Sequence, residues 1–187
     1  MNAPLIIPFR GKTPKIAPDA FIAPGAVLIG DIEIGPQSTV WFGCVLRGDL
    51  NAIRVGARTN IQDGTIIHVD SGHTHKDSAT HSAGHPAFIG DDVTIGHMVL
   101  LHGCTLESGA FVGMRSVVMD GVVVEGGAVV AAGALVSPFK RVLRGQLWAG
   151  MPAKLMRELK PSDAAEFNSA ADHYVEMGQA YRAQLGL

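Results

Sequence analysis

The sequence has little of several features that mark common protein classes. Aromatic residues make up 6% of the 187 residues and charged residues 17%, and the formal net charge is only −2. A chain so close to neutral offers no basic surface for nucleic acid or for an anionic membrane. Its two cysteines, Cys44 and Cys104, show no disulfide-framework or metal-finger spacing, so we expect reduced thiols.

Long apolar segments are missing as well. No run of about eighteen apolar residues occurs, and the opening segment MNAPLIIPFRGK lacks the apolar core and cleavage site of a signal peptide. The sequence therefore predicts a cytoplasmic protein without a membrane partner. What it does contain is 47% hydrophobic residues and 23 glycines, a composition that suits a packed core joined by many tight turns.

Aliphatic residues recur at every sixth position over most of the chain. The repeat begins at Ile16, slips by three residues before Val55, breaks after Ile67, resumes at Ile89 and slips by one residue before Leu106. A β-sandwich would instead show alternation with a period of two and turns about every 8–12 residues. The positions that fit the repeat are Ile16, Ile22, Leu28, Ile34, Val40, Leu46, Val55, Ile61, Ile67, Ile89, Ile95, Leu101, Leu106, Val112, Val118, Val124, Val130 and Val136.

Such hexads resemble the hexapeptide repeat of left-handed parallel β-helices. In that fold each hexad forms one side of a triangular prism, three hexads complete a coil, and the aliphatic residue points inward. The resemblance implies an all-β solenoid over residues 1–150, from which a loop at about residues 70–86 protrudes. Neighbouring coils of a solenoid stack about 4.8 Å apart.

Residues 151–187 lack the hexads and predict a C-terminal tail and an α-helix that packs on the prism. Ser162 is a candidate N-cap for this helix. Gly178 interrupts the helical pattern, and glycine inside a helix costs about 1 kcal/mol relative to alanine. The apolar stripe of the predicted helix consists of Phe167, Ala171, Tyr174, Met177 and Tyr181.

Two histidines, His97 and His102, lie five residues apart in the apolar segment IGHMVLLHGC. Neither a helix nor one face of a strand brings residues with this spacing together. The hexad count explains it, because His68 and His102 both follow the inward residue of the third side and should stack about 4.8 Å apart. His97 falls on the second side. Since imidazole binds zinc at about 2.0–2.1 Å, His68 and His102 can share one ion.

His97 would then serve the metal ion of a neighbouring subunit. A head-to-tail interface closed by three-fold rotation meets this requirement for every chain at once. The sequence thus predicts a homotrimer with a metal site at each subunit interface.

Polar residues near these histidines follow the same count. Arg47 occupies the column of His68 one coil earlier, whereas Gln62 and Asp63 lie on the second side, and Asp63 shares the slot of His97. We therefore expect Arg47 of one chain to face Gln62 and Asp63 of the next. An arginine–carboxylate pair would fix the register of the subunits. Asp49 is close enough to Arg47 in the sequence to join it.

The chain as a whole resembles the γ-class carbonic anhydrases. The resemblance implies that His68, His97 and His102 bind Zn²⁺, or another divalent ion such as Fe²⁺ or Co²⁺, and that metal-bound hydroxide hydrates carbon dioxide reversibly to bicarbonate. It also implies interface roles for Arg47, Asp49 and Asp63, a water-contacting role for Gln62, and a place near the site for Tyr174. The segments that carry the resemblance are WFGCVLRGD, TNIQDGTIIHVD, IGDDVTIGHMVLLHGCTL, FVGMRSVVMDGVVV and LWAGMPAKLMREL.

Two positions depart from the family pattern. Leu50 and Ser71 stand where the best-characterised members carry glutamates, the second of which shuttles protons. A trimeric metal-binding homologue with weak catalysis is therefore an alternative. A third interpretation is a hexapeptide-repeat acyltransferase that uses acyl-CoA, in which a loop histidine acts as general base without a metal. The candidate loop histidines, which could otherwise relay protons or adsorb metal ions, are His73, His75, His81 and His85.

Overall fold

The computed structural model of the protein describes residues 3–72 and 84–186. Most of the loop expected at residues 70–86, including His73, His75 and His81, lies outside these ranges. The described strands are β1 Leu5–Ile7, β2 Lys15–Ile16, β3 Phe21–Ile22, β4 Val27–Ile34, β5 Thr39–Val40, β6 Val45–Val55, β7 Asn60–Ile61, β8 Ile66–His68, β9 Ala87–Ile89, β10 Thr94–Ile95, β11 Leu100–His102, β12 Thr105–Leu106, β13 Phe111–Val112, β14 Val117–Val118, β15 Val123–Val124, β16 Val129–Val130, β17 Leu135–Val136, β18 Arg141–Val142, β19 Gln146–Gly150 and β20 Ala153–Glu158. One α-helix, α1 Pro161–Leu185, follows them.

The strands form a left-handed parallel β-solenoid of about seven coils, which confirms the predicted fold class. Side one contains β2, the second halves of β4 and β6, and β9, β12, β15 and β18. Side two contains β3, β5, β7, β10, β13, β16 and β19. Side three contains β1, the first halves of β4 and β6, and β8, β11, β14 and β17.

The aliphatic residue of each hexad points inward, and these residues together form a single core. Every position of the predicted repeat is buried except Ile16, which is half-buried at the N-terminal end. The pattern extends two steps beyond the prediction, to the buried Val142 and to Trp148, which packs on the core. Each fully buried valine, leucine or isoleucine contributes about 1.5–3 kcal/mol, so these small side chains stabilise the solenoid with few aromatic residues.

The long strands β4 and β6 turn the corner between sides three and one without leaving the sheet. Gly30 lies there with a φ of 82°, and a Cβ atom on it would lie 2.4 Å from the carbonyl oxygen of Gly48. Only glycine permits both this backbone conformation and this approach. The corner therefore keeps the two sides in one continuous sheet.

The outward faces of the three sides differ in chemistry. Side one is charged: Lys15 Nζ lies 3.1 Å from Glu33, which Arg54 approaches at 3.5 Å from the next coil. Helix α1 packs on part of side two. Side three presents a column of aliphatic side chains, each half-buried or exposed in the single chain. This aliphatic column consists of Val27, Val45, Ile66, Leu100, Val117 and Leu135.

Helix α1 packs on side two through the stripe predicted from the sequence. Tyr174 and Tyr181 both contact Trp41 edge-on, with ring centroids 5.5 and 5.2 Å apart, and Phe167 contacts Phe111. Within the described residues, no helix has an apolar stretch long enough to span a membrane.

The helix begins earlier than expected, so the prediction that Ser162 is the N-cap is wrong. The N-cap is Lys160, and Pro161 occupies the first turn, where its missing N–H costs no hydrogen bond. Asp163 accepts a hydrogen bond of 2.8 Å from the backbone N–H of Lys160 and caps the helix in place of Ser162. Before the helix, β20 returns antiparallel to β19, within the segment for which we expected only a tail and a helix.

Gly178 lets the helix approach the sheet closely. A Cβ atom on this residue would lie 2.5 Å from Cγ2 of Thr39 and 3.4 Å from Cβ of Phe21. Thr39 has little freedom to yield, because its hydroxyl accepts a 2.9 Å hydrogen bond from the indole of Trp41. The glycine that looked like a weak point in the helical pattern is thus a packing requirement.

We expect Gly178→Ala to lower the free energy of unfolding by about 1–2 kcal/mol, although alanine is the better helix former. Overpacking costs about 1–3 kcal/mol and outweighs the propensity gain of about 1 kcal/mol. Urea denaturation followed by circular dichroism measures the difference. Glu176→Ala, at an exposed position of the same helix, is the control and should shift stability by no more than about 0.5 kcal/mol. A stabilised Gly178→Ala variant would contradict this account.

Candidate metal centre

His68 and His102 stack at the ends of β8 and β11 on side three, in the register that the hexad count predicts. Their ring centroids are 5.0 Å apart, and Nδ1 of His68 lies 3.0 Å from Nε2 of His102. Two ring nitrogens therefore face each other across a gap that is narrower than the spacing of the coils.

The other nitrogen of each ring is held by a carboxylate. His68 Nε2 donates to Oδ1 of Asp49 at 3.0 Å, and His102 Nδ1 donates to Oδ1 of Asp120 at 2.6 Å. A neutral imidazole has one N–H and one lone pair. The carboxylates take up the N–H groups, so the two facing nitrogens carry the lone pairs.

Two lone pairs 3.0 Å apart repel each other unless a cation lies between them, either a proton or a metal ion. A tetrahedral ion with bonds of about 2.0–2.1 Å holds two nitrogens about 3.3 Å apart, which is close to the observed separation. The residues present thus fit a divalent metal ion that accepts nitrogen ligands.

The electrostatic surroundings favour the neutral form of the His68 imidazole. Burial lowers the pKa of His68, and the positive charge of Arg47 lowers it further, although the hydrogen bond to Asp49 opposes both effects. Burial alone would raise the pKa of Asp49, but its hydrogen bonds from Arg47 and His68 outweigh burial and hold this pKa below its ordinary value. An ionised Asp49 beside a neutral His68 is the state in which the imidazole can bind a metal.

His97 lies on side two, just after β10. Its Nδ1 donates to Oδ2 of Asp63 at 2.9 Å, which leaves Nε2 for a ligand, and the two side chains are 41% and 42% exposed. Gln62 is buried, and its amide donates to Oδ1 of Asn60 at 3.0 Å. Tyr174 is on the same side, where burial and then the negative charge of Asp63 raise its pKa.

The structure therefore divides the predicted site residues into two groups, which we call half-sites. The first half-site lies on side three and the second on side two. Within residues 3–72 and 84–186, no three His, Cys, Asp or Glu side chains of one chain converge to hold a metal ion. The first half-site comprises Arg47, Asp49, His68 and His102, and the second comprises Gln62, Asp63, His97 and Tyr174.

One contact near these histidines agrees with a sequence-based expectation, and another was not foreseen. Arg47 donates a 2.6 Å hydrogen bond to Asp49 of its own chain, the residue expected to join it, whereas its contact with Asp63 of another chain stays a prediction. Asp120 was not among the residues predicted from the sequence. Strand register offered a signal, because Val118 pairs with Leu101 and thereby brings Asp120 beside the turn that follows His102. The departures Leu50 and Ser71 are exposed and half-buried, respectively.

No family model matches the chain, but curated relatives do. The mitochondrial gamma carbonic anhydrase 2 of Arabidopsis thaliana is 45% identical over 175 residues, which cover 92% of this chain and 60% of that protein. The chain thus spans about three fifths of the length of this relative. A carbonic anhydrase of Geobacillus kaustophilus is 40% identical over 179 residues, which cover 96% of this chain and 92% of that protein.

Solved structures agree on the fold. A hexapeptide transferase family protein from Anaplasma phagocytophilum superposes with a TM-score of 0.85 at 41% identity, and the match covers 95% of this chain and 98% of that one. The match to the Geobacillus kaustophilus carbonic anhydrase covers nearly all of both chains at 40% identity, which is more than a shared solenoid fold alone would give. The chain belongs to the γ-carbonic anhydrase family of hexapeptide-repeat proteins.

Proposed function

We propose that the protein is a homotrimeric, metal-dependent carbonic anhydrase that converts carbon dioxide and water reversibly into bicarbonate and a proton. The observation that carries the proposal is the pair of facing nitrogens on His68 and His102, each opposite a nitrogen held by a carboxylate. Relatives that are 40–45% identical and are named carbonic anhydrases support the choice of reaction.

His68 and His102 of one subunit and His97 of its neighbour would hold the metal ion. When bound, such an ion lowers the pKa of a coordinated water molecule and supplies a nucleophile near neutral pH. We propose Zn²⁺, because three neutral imidazoles and one open position are a typical catalytic zinc site. Fe²⁺ and Co²⁺ accept the same ligands.

The remaining residues of the two half-sites orient these imidazoles and the substrate water. Asp49 and Asp63 each fix one ring tautomer through a hydrogen bond, as carboxylates behind metal-bound histidines do. Gln62 offers a neutral amide that can orient water without replacing a ligand. Tyr174 lies near Asp63 and can close the site from the side of the helix.

The trimer is supported by the outward faces of the prism. Side one carries ion pairs that remain solvated. Helix α1 packs on side two but leaves His97 and Asp63 partly exposed, and the aliphatic column of side three is uncovered in the single chain. Contiguous exposed apolar surface indicates an interaction site. Packing this column against a neighbour that brings in its second half-site completes the metal centre and closes a three-fold ring.

We also propose a cytoplasmic location. Cys44 and Cys104 are free and buried, and burial raises the pKa of each thiol to about 12. Free thiols are typical of a reducing compartment. Cell fractionation with an antibody to the protein tests this assignment.

The aliphatic column predicts which surface substitution breaks the trimer. We expect Ile66→Glu to produce monomers, because it buries a carboxylate in an apolar interface. Phe88→Glu is the matched control, since Phe88 on side one is equally exposed, at 47% against 45% for Ile66. Size-exclusion chromatography with light scattering measures the mass. A trimeric Ile66→Glu variant with full metal content would rule out side three as the interface.

Metal content tests whether one centre draws on two chains. We expect about one Zn²⁺ per chain in the wild type. Binding by His97→Ala and by His102→Ala should weaken by more than the roughly 10–100-fold that loss of a partner behind a metal-bound histidine costs. Co-expressing the two variants should restore about a quarter of the centres, because one interface in four joins an intact His97 to an intact His102. Tight zinc binding by a pure His97→Ala trimer would show that His97 is no ligand.

Stopped-flow measurement of carbon dioxide hydration tests the reaction itself. The zinc-loaded wild type should be active and His97→Ala should not. Because Leu50 and Ser71 provide no carboxylate to take up the proton, we expect the rate to rise with the concentration of imidazole buffer. An active, metal-free His97→Ala variant would contradict the proposal.

The same measurements separate the two alternatives. Metal binding without hydration would favour a non-catalytic homologue. Acyl-CoA turnover by metal-free protein would favour the transferase interpretation, to which the name of the Anaplasma phagocytophilum structure points. Of the four loop histidines considered for that role, His85 lies within the described residues, where its ring packs edge-on against Phe139.

A further inference from the structure

We infer that Asp120 is a positioning residue that presents Nε2 of His102 to the metal ion, and that the absence of a side chain at Gly103 allows it to do so. The inference rests on the proposed function, because it concerns the same centre. Of the three contacts between a histidine of this centre and a carboxylate, that of Asp120 is the shortest, at 2.6 Å against 2.9 and 3.0 Å.

The carboxylate of Asp120 differs from that of Asp49 in its charged partners. Asp49 divides its two oxygens between His68 and the guanidinium of Arg47. Asp120, by contrast, forms its one ion pair within the described ranges with His102. A carboxylate that is not neutralised by an arginine makes the imidazole a stronger electron donor through its other nitrogen.

Main-chain hydrogen bonds fix the position of Asp120. The N–H of Gly121 donates to the carbonyl oxygen of Gly103 at 2.8 Å, and the N–H of Phe139 donates to the carbonyl oxygen of Asp120 at 2.9 Å. The backbone around Asp120 is therefore bonded to the coils before and after it. A carboxylate on so rigid a support holds its partner ring in one orientation.

Gly103 provides the space for this carboxylate. A Cβ atom on Gly103 would lie 2.5 Å from Oδ1 of Asp120 and 2.8 Å from Cβ of His85. The first of these distances is shorter than any normal contact. The second shows that His85 blocks the added methyl group on its other side, so the methyl group cannot move away from Asp120. Alanine at position 103, where φ is 51°, would strain the backbone and would displace the carboxylate from His102 without removing any charge.

Three variants separate the parts of this arrangement. Asp120→Ala removes both the hydrogen bond and the charge, Asp120→Asn keeps an oxygen acceptor but removes the charge, and Gly103→Ala keeps the charge but moves it. Loss of a partner behind a metal-bound histidine costs about 10–100-fold in metal affinity. We expect losses of about 100-fold for Asp120→Ala and Gly103→Ala, and of about tenfold for Asp120→Asn.

Two measurements on the full-length protein test the inference. The first is Zn²⁺ affinity by competition with a chromophoric chelator, with Asp172→Asn as the control, because it removes an acid that is 70% exposed on the helix. The second is the tautomer of His102 in the metal-free protein, from ¹⁵N–¹H correlation spectra of the imidazoles. The wild type should carry its proton on Nδ1, and Asp120→Ala should move it toward Nε2.

These readouts distinguish this inference from the proposed function. If the wild type binds no zinc, the proposed function fails, and the tautomer alone decides the role of Asp120. Zinc affinities of Asp120→Ala and Asp120→Asn within about twofold of the wild type, or an unchanged Nδ1–H tautomer in Asp120→Ala, would overturn the inference. Should Asp120→Ala fail to fold, Asp120→Asn has nearly the same shape, and its zinc affinity then decides the question.

Discussion

The register in which each coil stacks on the next is the constraint on which the candidate centre depends. Main-chain hydrogen bonds hold Ile67 beside Leu101 and so bring His68 beside His102, although 34 residues separate the two histidines in the sequence. A shift of one residue would turn one imidazole toward the inside of the prism. The buried hexads oppose that shift, because it would expose aliphatic side chains to water. The same core that stabilises the fold therefore fixes the spacing of the two proposed ligands.

Counting hexads predicted the coil register because the inward position of this fold depends on a period rather than on individual contacts. The same count predicted that His68 and His102 lie side by side on side three and that His97 lies on side two. Contacts that depend on the details of one turn were not predictable in this way. By contrast, the bond between Arg47 and Asp49 joins near neighbours on one strand, and their closeness in the sequence already suggested it. That between Asp120 and His102 depends on a missing side chain one residue further on, which no periodic pattern records.

Residues that face outward carry information that hexad counting leaves out. The residue before each inward aliphatic on side three is itself aliphatic, whereas on side one it is often charged, and this difference was available in the sequence. Gly178 is a position where the sequence pattern misleads, because helix propensity alone ranks a glycine inside a helix as unfavourable. Its role becomes clear only when Thr39 is known to lie opposite. Propensity describes an isolated segment, whereas tertiary packing decides what the segment must accommodate.

The antiparallel course of β20 bears on how long the solenoid can grow. A stack of parallel strands ends in a row of unpaired backbone groups, which is a template for another molecule to join. On side two that row is occupied by a strand of reversed direction that bears the charged side chains of Lys154 and Arg157. Charges on an edge strand discourage pairing with another molecule. On this side of the prism, the final strand thus closes the parallel stack and works against end-to-end growth into fibres.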